Sequence, residues 1–201
     1  LRSAGGARLD REGFSPDPRI EAAIAALKGF PTLIWLTVQS SDFPRSSDAG
    51  DAVAVPALED LADRAAAAGL RVALYPHTGY WVERVEDAVR LARKANRPNL
   101  GVTFNLCHWL RVDGRDLEQR LEAAMPWLYC VTINGASTGG DKSWAALIQP
   151  LDRGEYDWAD LVRSLLARGY NGPVCLQLYG VKGNSQDNLK ASMDAWRVAF
   201  P

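Results

Sequence analysis

The sequence predicts an α/β fold built on a parallel sheet. Three observations carry that prediction. Short apolar runs alternate with longer segments of helical periodicity. The runs are rich in Val, Leu, Ile and aromatics, as strands covered on both faces should be. The helical segments also carry start and stop residues where helices need them.

Taken in order, the apolar stripe Ile20, Ala23, Ile24 and Leu27 predicts a helix ahead of the first strand, 32–39. Pro56 is expected in the first turn of the next helix, with Leu58, Leu61, Ala62 and Ala65 on one face and Gly69 as its stop. Strand 71–77 follows, then a helix repeating Val82, Val85, Val89 and Ala92. Strand 100–106 leads to a helix with Leu117, Leu121 and Ala124 inward, halted by Pro126. After strand 128–134, Asp157 is the expected N-cap of a helix burying Leu161, Leu165 and Leu166 and ending at Gly169. Strand 173–179 is last, before a helix expected to bury Leu189, Met193 and Trp196.

Strand side chains alternate, so each strand sorts its own faces. Placing Gln177 inward brings Cys175 and Tyr179 with it. The same parity groups Thr132 with Asn134, Thr103 with Asn105, Tyr75 with His77, and Trp35 with Thr37 and Gln39. The opposite faces are apolar. Five strands thus become polar on one face near their C-terminal ends, the pattern of a pocket for a small polar ligand.

Composition narrows the partners. With 23 basic and 24 acidic residues among 201, well dispersed, there is no electrostatic footprint for nucleic acid or an anionic membrane. No apolar run approaches the roughly 18 residues needed to span a bilayer. Cys107, Cys130 and Cys175 form no C-x-x-C pair, and Cys130 and Cys175 sit in apolar strand runs as small hydrophobes. Free thiols fit a reducing compartment, which favours the cytoplasm.

Several local motifs point to a family. They are Tyr75-Pro76-His77, Asn105-Leu106-Cys107-His108-Trp109, Ile133-Asn134-Gly135, Leu147-Ile148-Gln149-Pro150-Leu151, Gly169-Tyr170-Asn171-Gly172-Pro173, Leu176-Gln177-Leu178-Tyr179 and Ser192-Met193-Asp194-Ala195-Trp196. Over roughly residues 20–199 the chain resembles the xylose-isomerase-like superfamily of sugar phosphate isomerases and epimerases. That resemblance implies a (β/α)8 TIM barrel whose active site lies at the C-terminal strand ends. Only the last five β/α units are apparent here, so residues 1–201 are expected to be one such domain, truncated at its N-terminus.

Metal-dependent members of the superfamily hold a divalent ion with Glu, Asp, His and Glu at four strand ends. The matching positions read Tyr75, Asn105, Asn134 and Gln177. Three amides and a phenol lack the carboxylate charge hard cations require, so no metal is expected. Catalysis would then fall to His77, His108 and Tyr75. The histidines would act as acid and base near neutrality, and Tyr75 or Tyr179 would donate to an enolate oxygen. Gln39, Asn105, Trp109, Asn134, Gln149, Gln177 and Tyr179 are the expected ligand contacts, with Trp144, Trp81 and Tyr80 in or near the same loops. Asp141, Lys142, Asp152, Arg153 and Glu155 flank that end, where one could replace a missing acid or bind a phosphate.

The resulting reading is an isomerase or epimerase, or a lyase on keto-sugars, that moves a proton next to a carbonyl of a small carbohydrate. The alternative is a metal-free degenerate barrel that binds a sugar or polyol without turnover. A homo-oligomer is left open, and an abasic-DNA endonuclease is disfavoured.

Overall fold

Six parallel strands, one more than the sequence reading counts, form the sheet of this protein. The computed structural model describes residues 2–201, with side chains from residue 5 onward. Strand β1 (Arg2–Leu9) forms a hairpin with the short antiparallel β2 (Phe14–Pro16) and pairs in parallel along its whole length with β3 (Leu33–Ser40). Then come β4 (Arg71–Leu74), β5 (Leu100–Asn105), β6 (Leu128–Ile133) and β7 (Val174–Leu176) in sequential order. Among the described residues β2 and β7 are the two edges of this sheet. The additional strand escaped sequence reading because Ser3-Ala4-Gly5-Gly6-Ala7 offers no β-branched or aromatic run. Its small residues have a packing reason. A Cβ on Gly5 would stand 2.6 Å from Cγ1 of Ile20, on the helix α1 (Pro18–Ala26).

The crossovers are helices α2 (Asp51–Ala67), α3 (Val85–Ala95), α4 (Leu106–Val112) with α5 (Leu117–Ala124), α6 (Trp144–Leu147) with α7 (Trp158–Ala167), and finally α8 (Ser185–Ala199). Helix α2 begins five residues before Pro56, which lies inside it rather than in its first turn. Asp157 caps α7 as expected, accepting the Asp160 N–H at 2.8 Å. Leu166 and Leu189 correct the helical-face expectation: each is 51 % exposed, and Met193 is also exposed. On α8 the face turned to the protein instead buries Asn188 and Ser192. Their side chains bond the Lys182 carbonyl and the Leu151 N–H, so polar ties to two loops displace the apolar contacts expected there.

Face parity held where it matters for the site. Ile34, Leu36, Val38, Val72, Leu74, Val102, Phe104, Val131 and Ile133 pack with the helices in the main core. Leu33, Ala73, Cys130 and Cys175, with Trp35 and Tyr129, form a small cluster on the other face. Burying an aliphatic side chain contributes about 1.5–3 kcal/mol. The helix-side layer therefore supplies most of the stabilisation, and the inner face can hold polar groups at its C-terminal end.

One buried ionic cluster ties helices to that end. Asp87 on α3 accepts the backbone N–H groups of Glu83 and Arg84 and the Ser46 hydroxyl, and pairs with Arg90 at 3.0 Å. Arg90 reaches on to Asp51 at the start of α2. These bonds anchor the loop following β4, which carries Tyr75, His77 and Thr78.

Candidate active site

A cavity of about 980 Å³ opens at the C-terminal ends of β4 to β7. Backbone pairing carries two of its walls one residue past the strands: Tyr75 N–H donates to the Leu36 carbonyl and Gln177 N–H to that of Ile133, both at 2.8 Å. Their side chains are thus projected into the mouth. Pro76, lacking an N–H, ends the run after Tyr75.

Tyr75, His77 and His108 come together on this wall. The two imidazole centroids are 4.2 Å apart, and Tyr75 meets His108 edge-on at 5.6 Å. Tyr80 stacks on His77 at 4.1 Å, and Trp144 closes over His108 edge-on at 5.3 Å. Burial pushes the Tyr75 phenol well above its usual range, with the Cys107 thiol beneath adding to it, so the O–H stays protonated as a donor. Gln177 Nε2 donates to that oxygen at 3.4 Å.

Thr78 gives the histidines opposite tautomers. Its carbonyl can only accept, so the 2.9 Å contact with His77 Nδ1 places a proton on Nδ1 and a lone pair on Nε2. Its backbone N–H can only donate, so the 3.2 Å contact with His108 Nδ1 places the His108 proton on Nε2. The Thr78 hydroxyl lies 3.2 Å from the same nitrogen. Burial pulls the His108 pKa down to about 3, with His77 and Arg111 contributing. Burial also lowers that of His77, against the opposing effect of its bond to Thr78. The expectation of two histidines titrating near neutrality is corrected accordingly: burial disfavours the charged form of both, and at Nε2 one presents a lone pair and the other an N–H. Nothing in the sequence marked Thr78, because its contribution comes from main-chain atoms.

The remaining expected contacts divide. Gln149, Gln177 and Tyr179 line the cavity. Gln149 spends its amide N–H groups on Ser137 Oγ and the Ala146 carbonyl, both at 2.9 Å. Gln177 Oε1 accepts from Tyr179 N–H, and the Tyr179 ring stands at the rim, 82 % exposed. Asn105 is buried below the mouth and internally satisfied, donating to the Pro76 carbonyl and Thr103 Oγ1 and accepting from Thr132 Oγ1. Asn134 is fully buried and gives its amide N–H groups to the Gly135 and Leu147 carbonyls. Trp109 donates to the Arg115 carbonyl and packs between Phe104 and Tyr156, away from the cavity. Gln39 is exposed on β3 and does not line the cavity either. Trp81 is core, wholly buried beside Gly50.

The four stations do not suit a divalent cation. The amide oxygens of Asn105 and Gln177 already accept from Thr132 Oγ1 and the Tyr179 N–H, that of Asn134 is buried without charge and, among the described residues, without a partner, and the phenol is held protonated. Among the described residues no group of three or more His, Cys, Asp or Glu side chains is placed to hold a metal ion. The charged groups lining the cavity are Arg153 and Lys182, both cationic.

A parallel β/α sheet with a ligand-sized cavity at its C-terminal strand ends is the arrangement of a β/α barrel. The chain belongs to the xylose isomerase-like TIM barrel family, whose model matches residues 20–198. It is 29 % identical over 164 residues to 3-dehydroshikimate dehydratase of Pseudomonas aeruginosa, a match covering 73 % of this chain and 25 % of that protein. The chain thus spans about a quarter of the length of that curated relative. The fold is similar to that of the IolI protein with a bound zinc atom, at a TM-score of 0.74 and 16 % identity, over 90 % of this chain and 67 % of that one. It is also similar to 3-keto-D-glucoside 4-epimerase, YcjR, from E. coli, at a TM-score of 0.66 and 21 % identity, over 90 % and 68 % of the two chains. No helix among the described residues is long and apolar enough to cross a membrane.

Proposed function

We propose that this protein moves a proton next to the carbonyl of a small carbohydrate, or of a ring ketone related to one, without a metal ion. The observation that carries the reading is the pair of opposite tautomers 4.2 Å apart at the cavity wall. Enolisation needs a lone pair to take the C–H proton and a donor where negative charge develops on oxygen. His77 Nε2 is the lone pair. His108 Nε2–H and the Tyr75 hydroxyl are the donors.

As His77 takes the proton, the carbon–hydrogen electron pair becomes a carbon–carbon π bond and the carbonyl π pair moves to oxygen, giving an enolate held by those donors. Where the deprotonated carbon carries a hydroxyl, transfer of that hydroxyl's proton to the enolate oxygen and return of the carbon-bound proton to the former carbonyl carbon isomerises the ligand, whereas return to the original carbon on the other face epimerises it. Expulsion of a β-hydroxyl as water dehydrates it. The names of the relatives, an epimerase of a keto-glucoside and a dehydratase of 3-dehydroshikimate, span two of these outcomes.

Deuterium incorporation from D2O into a panel of keto-sugars and cyclic hydroxyketones, followed by NMR, tests the reading. His77→Gln should slow exchange by about 10²–10⁴-fold, the usual contribution of a positioned base. The wild-type rate should be level through neutrality and fall on the acid side of 6.5, the ordinary histidine value, because the His77 pKa is lowered. Exchange that survives His77→Gln would sink the assignment. A wild-type protein that binds these compounds but exchanges none would mean a sugar-binding barrel without turnover.

A further inference from the structure

We propose that the ligand of this cavity carries an anionic group, a carboxylate or a phosphate, held by Arg153 and Lys182. The inference deepens the proton-transfer reading and rests on it for the location of the site. Its own basis is the charge and polarity of the lining.

Among the described residues no aspartate or glutamate lines the cavity, whereas Arg153 and Lys182 both do. The two come from different loops, after β6 and after β7. This imbalance stands out in a chain whose net charge is −1. It also differs from how cations are treated elsewhere in the fold. Arg90 is paired with Asp51 and Asp87, Arg120 with Glu86 and Asp113, and Arg97 with Asp63 and Glu59. Among the described residues Arg153 has only its chain neighbour Asp152, at a loose 3.9 Å. No carboxylate among the described residues pairs with the Lys182 ammonium.

The acids of the nearby loops are committed locally. Glu155 accepts the Thr138 N–H and hydroxyl, and Asp141 accepts those of Ser143. They keep their charge there, but among the described residues neither pairs with Arg153 or Lys182. The backbone is built to bring Arg153 there: a Cβ on Gly135 would stand 2.2 Å from the carbonyl oxygens of both Pro150 and Arg153. Only glycine allows the loop to lie that close to the end of β6.

The same lining is poorly equipped for a neutral polyol. A sugar with many hydroxyls needs amides with free donors and acceptors, since an unpaired polar group is costly to bury. Gln149 has committed both its N–H groups, and Gln177 uses its amide on Tyr75 and Tyr179. Much of the remaining surface is Ala145, Ile148, Pro150 and Val181. An apolar wall, two cations without a close acid partner and a base–donor pair fit a compact organic anion with a ketone and few hydroxyls. Arginine suits the planar fork of a carboxylate or the oxygens of a phosphate, with lysine as a second point charge.

The two histidines, the only ones in the chain, give the reporter. Their ring-proton resonances would be followed while the intact protein is titrated with sodium benzoate, inorganic phosphate or xylitol at fixed ionic strength. At least one anion should shift them saturably, at lower concentration than xylitol, and the anion that does so names the group. Arg153→Gln and Lys182→Gln should each weaken that binding about tenfold or more, as expected when a charge-assisted hydrogen bond is lost. Xylitol binding as well as the better anion would overturn the proposal. So would the absence of a saturable shift with either anion, or anion binding unchanged in the double variant. Binding is read without turnover, so these outcomes are separate from the exchange result for His77→Gln.

Discussion

His108 should make the protein acid-sensitive by an amount that can be worked out beforehand. In the unfolded chain its imidazole takes up a proton near 6.5, and in the folded protein only near 3. Between those values the unfolded state binds one more proton than the folded state, so stability falls as pH falls. The slope is about 1.4 kcal/mol per pH unit for one such group, which amounts to about 2 kcal/mol between pH 6.5 and 5. The cause is geometric. Protonating Nδ1 would lose the Thr78 N–H bond and set a charge among Tyr75, Trp144 and a second imidazole. Urea unfolding at several pH values would measure the slope in the wild type and in His108→Gln, whose amide oxygen can still accept from Thr78. Carboxylates contribute equally to both proteins and cancel in the comparison. The variant should lose about 1 kcal/mol or more of the wild-type change across this window. Parallel curves for the two proteins would refute the argument that His108 is held neutral by its surroundings.

Tyr75→Phe should lower the exchange rate by about 10–10³-fold while leaving the affinity for a substrate analogue nearly unchanged, as loss of an oxyanion donor does; a changed affinity with an intact rate would make Tyr75 a binding group only. Its thermal stability should change little, because the bond given up to Gln177 is a long one. Gly135→Ala should cost about 1–3 kcal/mol, since the added Cβ meets two backbone oxygens that cannot swing aside. Calorimetry would show it as a lowered Tm, and an unchanged Tm would mean that the loop has room the structure does not display.

Much of the architecture is legible in the sequence because burial on both faces leaves an unmistakable apolar run, as in Val102-Thr103-Phe104 or Val131-Thr132-Ile133. β1 was not, because its stability comes from an eight-residue ladder to β3 and from glycines that admit Ile20. Those are partner properties, absent from local composition. At the site, parity places Tyr75, His77 and Gln177 correctly at the mouth, but it cannot tell a side chain aimed at solvent from one aimed at a neighbouring carbonyl. Asn105 and Asn134 have the same parity as the cavity residues, yet both turn their amide N–H groups to main-chain carbonyls, Asn105 to that of Pro76 and Asn134 to that of Leu147. Trp81 and Trp109 illustrate the same limit for aromatic rings: a loop address does not say which side of the loop is core. Arg153 was visible only as one of several charges at this end. Its distinction lies in the acids that do not face it.

The arrangement at Thr78 has a consequence for how this site can change over time. The protonation pattern of the two imidazoles is held by an amide hydrogen and a carbonyl oxygen that nearly every amino acid would supply equally well. Side-chain replacement at position 78 removes only the supporting hydroxyl. A proline there would erase the hydrogen that keeps His108 a donor. The identity of the residue is therefore almost free to drift, while the path of the chain through it is not. The division of labour between base and donor is inherited through backbone shape rather than through any letter of the sequence.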